Sequence, residues 1–245
     1  LTRNAAEIAR RAGVAIEVVH VGARRDNPHA DTSTVKVSRD PMAVVDDPDV
    51  DIVVELIGGT TLARELVLRA IANGKHVITA NKALIALHGN EIFAAATEKD
   101  VDVDFEAAVA GGVPIIKSIR EGLSANRINW LAGIINGTSN FILTEMREKG
   151  RSFGDVLAEA QQLGYAEADP TFHVEGVDAA HKLTILASVA FGIPLQFYKV
   201  YIEGITKLTA EDVSYAEALG YRIKLLGIAR RAANGIELRV HPTLI

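Results

Sequence analysis

Between Ile16 and Val109, β-branched apolar runs alternate with helical ones, and this alternation constrains the fold more than any other feature. IEVVHVG (16–22) reads as a strand, DPMAVVDDP (40–48) as a short helix between prolines, and DIVVELIGG (51–59) as an apolar strand closing in two glycines. TLARELVLRAIANG (61–74) reads as an amphipathic helix with a glycine stop. KHVITA (75–80), residues 81–100 and VDVDFEAAV (101–109) follow as strand, helix and strand. Strands separated by helices call for parallel βαβ units. Continuously apolar strands further imply a sheet buried on both faces.

The rhythm changes after GGVP (111–114). A helix (115–123) leads to a strand, INWLAGII (128–135), and then to helices near 138–149, 153–163 and 176–191. YRIKLLGIARR and GIELRVHP read as two strands around Asn234-Gly235, a good hairpin turn. Residues 1–110 are therefore read as a nucleotide-type α/β half and 111–245 as an α+β half. A doubly wound nucleotide domain opens strand, Gly-rich turn, helix. Here LTRNAAEIARRAG (1–13) is already the helix, so either this is no dinucleotide domain or a preceding strand and phosphate loop are expected to be missing.

Composition excludes several classes. The 245 residues carry a net charge of −5, which argues against a nucleic-acid surface. There is no cysteine, hence no disulfide, thiolate metal site or cysteine nucleophile, and the cytoplasm fits. The longest apolar run, Leu183 to Leu195, is too short for a membrane span.

Four stretches could carry chemistry. GARRD (22–26) ends a strand where an acid would hold a ribose hydroxyl or an arginine a 2′-phosphate. Arg24 and Arg25 favour NADP and Asp26 permits NAD; a solvated charge cluster is the plainer reading. ELIGGTT (55–61), with Gly58 and Thr60, puts free backbone N–H groups at a strand–helix turn. In TANKALI (79–85), Lys82 sits at a helix start against the dipole. Such a lysine is placed for an anionic or carbonyl partner, or is a plain surface lysine. NGTSNF (136–141), with Gly137 and Thr138, would suit an amino-acid carboxylate, or is a Thr138 or Ser139 N-cap.

EGVDAAHK (175–182) puts Asp178 and Lys182 one helical turn apart, followed by LTILASVAFG, apolar on almost every side. An exposed pair of this kind is worth only about 0.3–0.5 kcal/mol. A helix without a wet face, however, must aim its charged end at a cavity or a polar group. Burial of two charges costs several kcal/mol per ion, so a lysine there makes sense if it works on a substrate. Glu167, Asp169 and His173 lie just before; on sequence alone the two acids are ordinary solvated groups and the histidine a surface or half-buried one.

In this order, ELIGG, TANKALI, NGTSNFILTEM, GYAEADPT, EGVDAAHK, VYIEGIT, GYRIKLL and RVHPTLI resemble the homoserine dehydrogenase family over essentially the whole chain. The resemblance implies a Rossmann-type doubly wound sheet, incomplete at its N-terminus, followed by an α+β substrate-binding, catalytic and dimerisation domain. It implies NAD(P)-dependent interconversion of L-aspartate 4-semialdehyde and L-homoserine, a step towards threonine, methionine and isoleucine. By position, Lys182 matches the family's catalytic lysine and Asp178 the acid beside it. Glu167 matches the group that holds the substrate's ammonium, and Gly137 and Thr138 the turn near the substrate. Gly58, Thr60, Lys82 and Arg24 fall on the cofactor side, with Lys82 also near the substrate. FEAAVAGGVP matches a monovalent-cation loop, with Glu106 and the carbonyls of Val109, Gly111 and Val113 as ligands and sodium as the expected ion. A homodimer is implied. The chain departs from the pattern in lacking the Gly-rich phosphate loop and the C-terminal glycine-rich segment, and in carrying His173 where an aspartate is expected. The rival reading is a non-catalytic nucleotide-binding or assembly module of the same fold.

Overall fold

In the computed structural model, which describes residues 1–245, contacts divide the chain into two compact units, 1–79 with 91–104 and 80–90 with 105–245. The first unit opens with α1 (Ala5–Ala12), which stops at Gly13 with φ 76°, a left-handed cap that glycine adopts without strain. Then come β1 (His20–Gly22), β2 (Lys36–Ser38), α2 (Met42–Val45), β3 (Ile52–Glu55), α3 (Leu62–Ala72), β4 (His76–Thr79), α4 (Lys82–Lys99), whose residues up to Asn90 belong to the second unit, and β5 (Val103–Asp104). β1 and β2 pair in parallel, and β3, β4 and β5 form a second parallel sheet in that order. The βαβ reading of this region holds, since every pairing in it is parallel.

The strands are shorter than the apolar runs suggest. The run 16–22 pairs only from His20, because its partner β2 is three residues long. The run 101–109 pairs over two residues and then tightens into a 3-10 turn at Glu106–Ala108. Burial on both faces also fails. Val53 and Glu55 are buried while Ile52 and Val54 are 44% and 50% exposed, so β3 alternates as a one-sided strand does. β2, between the first strand and α2, is not among the expected strands, because its alternation, Val35 and Val37 between Thr34, Lys36 and Ser38, holds only two apolar residues.

The second unit continues with α5 (Ile115–Lys117), extended by a π turn, then β6 (Trp130–Gly133), α6 (Gly137–Lys149), α7 (Phe153–Gln162), α8 (Thr171–Val174), α9 (Val177–Phe191), β7 (Tyr201–Ile202), α10 (Ala210–Ala218), β8 (Ile223–Ala232) and β9 (Gly235–Leu244). The sheet order is β6-β8-β9-β7, antiparallel except where β7 joins β9. β8 and β9 form the expected hairpin, with Ala232 opposite Gly235, so the two loop residues are Ala233 and Asn234. Its core gathers Ile142, Leu143 and Met146 of α6, Val156 of α7, Leu183 and Ala187 of α9, and Leu225 and Val240 of the sheet.

No residue of α9 is exposed, which fits a helix apolar on every side. Two glycines let the chain enter it. Gly176 takes φ 82° one residue before the helix. At Gly204 a Cβ would lie 2.4 Å from the Val174 carbonyl oxygen, so the strand exit and the helix entrance touch backbone to backbone. The neighbouring bond from Ile205 N to Val174 O, 2.8 Å, locks that approach.

Candidate functional site

The buried end of α9 carries its two charges as a pair. Asp178 is 1% exposed, and Lys182 Nζ donates to its Oδ2 at 2.7 Å and to the Ile135 carbonyl at 2.8 Å. The Lys182 side chain is 19% exposed, so its head is not sealed. An ammonium has three N–H groups; the third remains open to a ligand.

Two other segments complete the surroundings of the carboxylate. Asn136 is the N-cap of α6, its Oδ1 accepting from Ser139 N at 2.8 Å, and its Nδ2 donates to Asp178 Oδ2 at 2.9 Å. The cap is thus neither Thr138 nor Ser139. Thr138 Oγ1 instead donates to the Tyr165 carbonyl, and Ser139 Oγ to that of His173. Lys82, at the start of α4, brings its Nζ within 3.2 Å of Asp178 Oδ1 and 5.7 Å from the centre of the Phe172 ring. The anionic partner that a lysine at a helix start needs is therefore Asp178. Burial pushes the Asp178 carboxyl up, but the Lys182 hydrogen bond and charge, Asn136 and Lys82 outweigh it and hold it below the ordinary value. The acid stays ionised between two ammonium groups, and the cluster carries one positive charge in excess.

Behind this cluster lies His181, 4% exposed, between the rings of Phe172 and Phe197 with centroids at 5.3 and 4.4 Å. Its Nδ1 is enclosed and unpartnered. Burial, then the charge of Lys82, lower its pKa to about 4 against a smaller opposing pull from Asp178, so the ring is neutral near pH 7.

The remaining candidates stand as follows. Glu167 is exposed with no side-chain partner, and only its backbone oxygen is engaged, by Gln161. Gly137, the first residue of α6, is exposed. Glu106 accepts from Ile116 N and Lys117 N, both at 2.9 Å, and so caps α5. In the adjoining loop Val109 is buried and Gly111 and Val113 are exposed, with Ala110 held at φ 50°. No three acidic or histidine side chains gather as a metal cluster.

In the first unit, Gly58 and Gly59 both take positive φ after β3. The N–H groups of Ile57 and Gly58 are not open to a ligand, since both donate to Glu55 Oε1. Glu55, missed in the sequence because it reads as one polar letter in an apolar run, is 4% exposed and also accepts from Thr79 Oγ1. Thr60 is half-buried with no side-chain bond. Arg24 is exposed and unpartnered at the end of β1, whereas Asp26 is bound by Arg39 at 2.7 Å.

A homoserine dehydrogenase family model matches residues 114–245, and the model of that family's NAD-binding domain matches residues 1–106. The chain belongs to the homoserine dehydrogenase family. The homoserine dehydrogenase of Pseudomonas aeruginosa is 74% identical over 245 residues, all of this chain and 56% of that protein. That of Neisseria gonorrhoeae is 59% identical over 246 residues, all of this chain and 57% of its own length. The chain thus spans somewhat more than half of the homoserine dehydrogenases it matches. A crystal structure of the Thiobacillus denitrificans homoserine dehydrogenase superposes with a TM-score of 0.96 at 70% identity, over 100% of this chain and 57% of the other. A hyperthermophilic archaeal homoserine dehydrogenase, solved in complex with NADPH, superposes with a TM-score of 0.72 at 26% identity, over 99% of this chain and 67% of the other. The architecture is that of the family, a mixed α/β chain with parallel sheets, an NAD-binding domain and a catalytic domain. No helix is long and apolar enough to cross a membrane.

Proposed function

We propose that the intact protein interconverts L-aspartate 4-semialdehyde and L-homoserine with NADP or NAD as the redox partner. The observation that carries this reading is Lys182, an ammonium fixed by Asp178 and a carbonyl with one N–H to spare. When bound, the dinucleotide supplies or accepts the hydride. In the reducing direction Lys182 donates to the aldehyde oxygen as negative charge develops there and passes its proton to it. In oxidation the neutral amine takes the hydroxyl proton. Asp178 does not accept it, because both of its oxygens already face donors. Its part is to orient the lysine, and Lys82 adds a second positive charge from the far side.

The N–H groups at the mouth of α6, Gly137 and Thr138, suit the substrate carboxylate, and Glu167 suits its ammonium. The first unit fits a dinucleotide, since Arg24, Gly58 and Thr60 follow the carboxyl ends of parallel strands, where such folds bind ligands. Unpartnered Arg24, with Asp26 held by Arg39, favours the 2′-phosphate of NADP. Glu106 fits a hard cation with the carbonyls of Val109, Gly111 and Val113. Each of its oxygens takes one backbone N–H and keeps a lone pair, and sodium is the ion proposed. A cytoplasmic homodimer serving threonine, methionine and isoleucine synthesis completes the reading. The test is the intact protein with L-homoserine and NADP or NAD. Homoserine-dependent appearance of reduced nicotinamide is expected, and its absence would leave a non-catalytic nucleotide-binding module.

A further inference from the structure

Three acids are buried in this chain, Asp47, Glu55 and Asp178, and Glu55 differs from the other two. Asp47 and Asp178 each face a lysine. Glu55 faces neutral donors: its Oε1 accepts from Ile57 N at 2.8 Å and Gly58 N at 3.0 Å, and its Oε2 from Thr79 Oγ1 at 2.6 Å. Burial of a carboxylate without a cation is unfavourable, and an apolar side chain of similar volume would brace two strands as well or better. What Glu55 does that an apolar residue cannot is hold backbone N–H groups.

The backbone it holds is the turn between β3 and α3. Gly58 and Gly59 run through this turn at φ 75° and 72°, and a Cβ at either would meet nothing within 4 Å, so packing does not fix them. Glycine leaves such a conformation readily, since it has many others to visit. The carboxylate pins the first half of the turn from inside. Its other oxygen ties the turn to Thr79, the register partner of Glu55 at the end of β4. The Ile57 and Gly58 amides are thereby turned inward, while the Leu56 and Ile57 side chains are exposed. With these donors used, the turn offers a ligand an apolar face, which suits a flat ring better than a phosphate. The 2′-phosphate of the adenosine half is suited to Arg24, at the end of β1.

We propose that Glu55 is a positioning residue that presents the 56–60 turn to the nicotinamide half of the dinucleotide without touching it. The proposal rests on the functional reading above and deepens it. Two variants of the intact protein separate tether from charge. Glu55→Met fills the space and accepts nothing. Glu55→Gln drops the charge but keeps an oxygen for the two backbone amides and turns its N–H towards the Thr79 hydroxyl. Calorimetry compares NADP and NAD with the same molecules lacking the nicotinamide ring, 2′-phospho-ADP-ribose and ADP-ribose. Glu55→Met is expected to bind the whole dinucleotide about ten- to thirtyfold more weakly, the worth of two backbone hydrogen bonds. It should bind the ringless probe within about twofold of wild type, as for a distant site. Glu55→Gln should bind both within about threefold of wild type. Unchanged dinucleotide affinity in Glu55→Met, an equal loss of both probes, or no recovery in Glu55→Gln overturns the proposal. The first would leave Glu55 idle, the second would make it a brace of the fold, and the third would put its charge in place of its tether. A wild type that binds dinucleotide but leaves L-homoserine unreacted sinks the functional reading alone, with the binding series still deciding Glu55. A wild type that binds no dinucleotide overturns both.

Discussion

Each unit of the molecule holds a buried aspartate flanked by histidine and lysine, and the two clusters differ in what they leave open. In the first unit Asp47 accepts from His20 at 2.7 Å and from Lys36 at 2.9 Å, while Lys75 Nζ is fixed by the carbonyls of Asp47 and Val50. Lys75 is 6% exposed, and Lys36 reaches in from solvent with a side chain 64% exposed. This cluster ties α2 and the segment after it to β1, β2 and the start of β4. In the second unit Asp178 is buried more deeply, 1% exposed against 9% for Asp47, but its two lysines are each only partly covered, with a third Lys182 N–H unclaimed. Similar residue types make a strut in one place and a site in the other. The difference lies in where the free ammonium hydrogens sit: Lys36 keeps its own on an open side chain, whereas Lys182 keeps one in a largely covered place beside Lys82 and Asn136.

The sharpest way to break this comparison is to remove one lysine from each cluster. Lys182→Ala in the intact protein should lower kcat about 10²–10⁴-fold, the usual worth of a positioned acid–base group, with a far smaller change in KM. Lys36→Ala should leave both constants close to wild type. Steady-state kinetics decides it, and near-normal turnover in Lys182→Ala would shift the proton role to Lys82.

Asp178→Asn should cost less, about ten- to hundredfold in kcat, because it weakens a charge-assisted bond to the lysine without removing the lysine. A loss equal to that of Lys182→Ala would mean that the acid itself moves the proton.

His181 supplies the next effect. Its folded-state pKa, about 4, lies below the ordinary histidine value, through burial first and Lys82 second. The unfolded chain therefore binds a proton that the folded chain refuses. The stability is full above about pH 6.5 and falls as pH drops towards about 4, a loss on the order of 2 kcal/mol. Urea melts between about pH 7.5 and about pH 4.5 should show a smaller acid loss for His181→Phe, which keeps a ring between Phe172 and Phe197. Parallel curves would place the charge elsewhere.

The smallest effect is expected at Asp47. Hydrogen bonds from Lys36, then from the Asp49 backbone, outweigh its burial and hold its carboxyl at about 2. This folded-state value is depressed, so the contribution is complete above about pH 4 and fades as pH falls towards about 2. Asp47→Asn should melt below wild type at neutral pH and converge with it in acid, with no separate effect on kcat. A gap that persists undiminished in acid would show that packing alone sets it.

Much of this was legible in the sequence. The run after Lys182 has no wet face, and that pattern alone places Asp178 and Lys182 at a buried end. The parallel order of the first unit followed from its alternation. Strand lengths did not, since apolar letters report burial and say nothing of the partner's length: 16–22 pairs over three residues because β2 has no more to offer. Asn136 was invisible for a different reason. Before Gly-Thr-Ser it reads as a turn residue, and its bonds to His173 and Asp178 exist only once α6, α8 and α9 have met. The same holds for the meeting of Lys82 with Asp178, two helix starts far apart in sequence.

Asn136 also limits how this protein can be altered. As a helix cap it looks replaceable, since serine, threonine and aspartate cap about as well. None of them has two N–H groups left after its oxygen has capped the helix. Capping alone would pass Asn136→Asp or Asn136→Ser, yet the first sets a second buried carboxylate against that of Asp178 and the second leaves Asp178 one donor short. Position 136 is therefore a place where one amide answers to the helix and to the site at once, and no other cap residue can serve both.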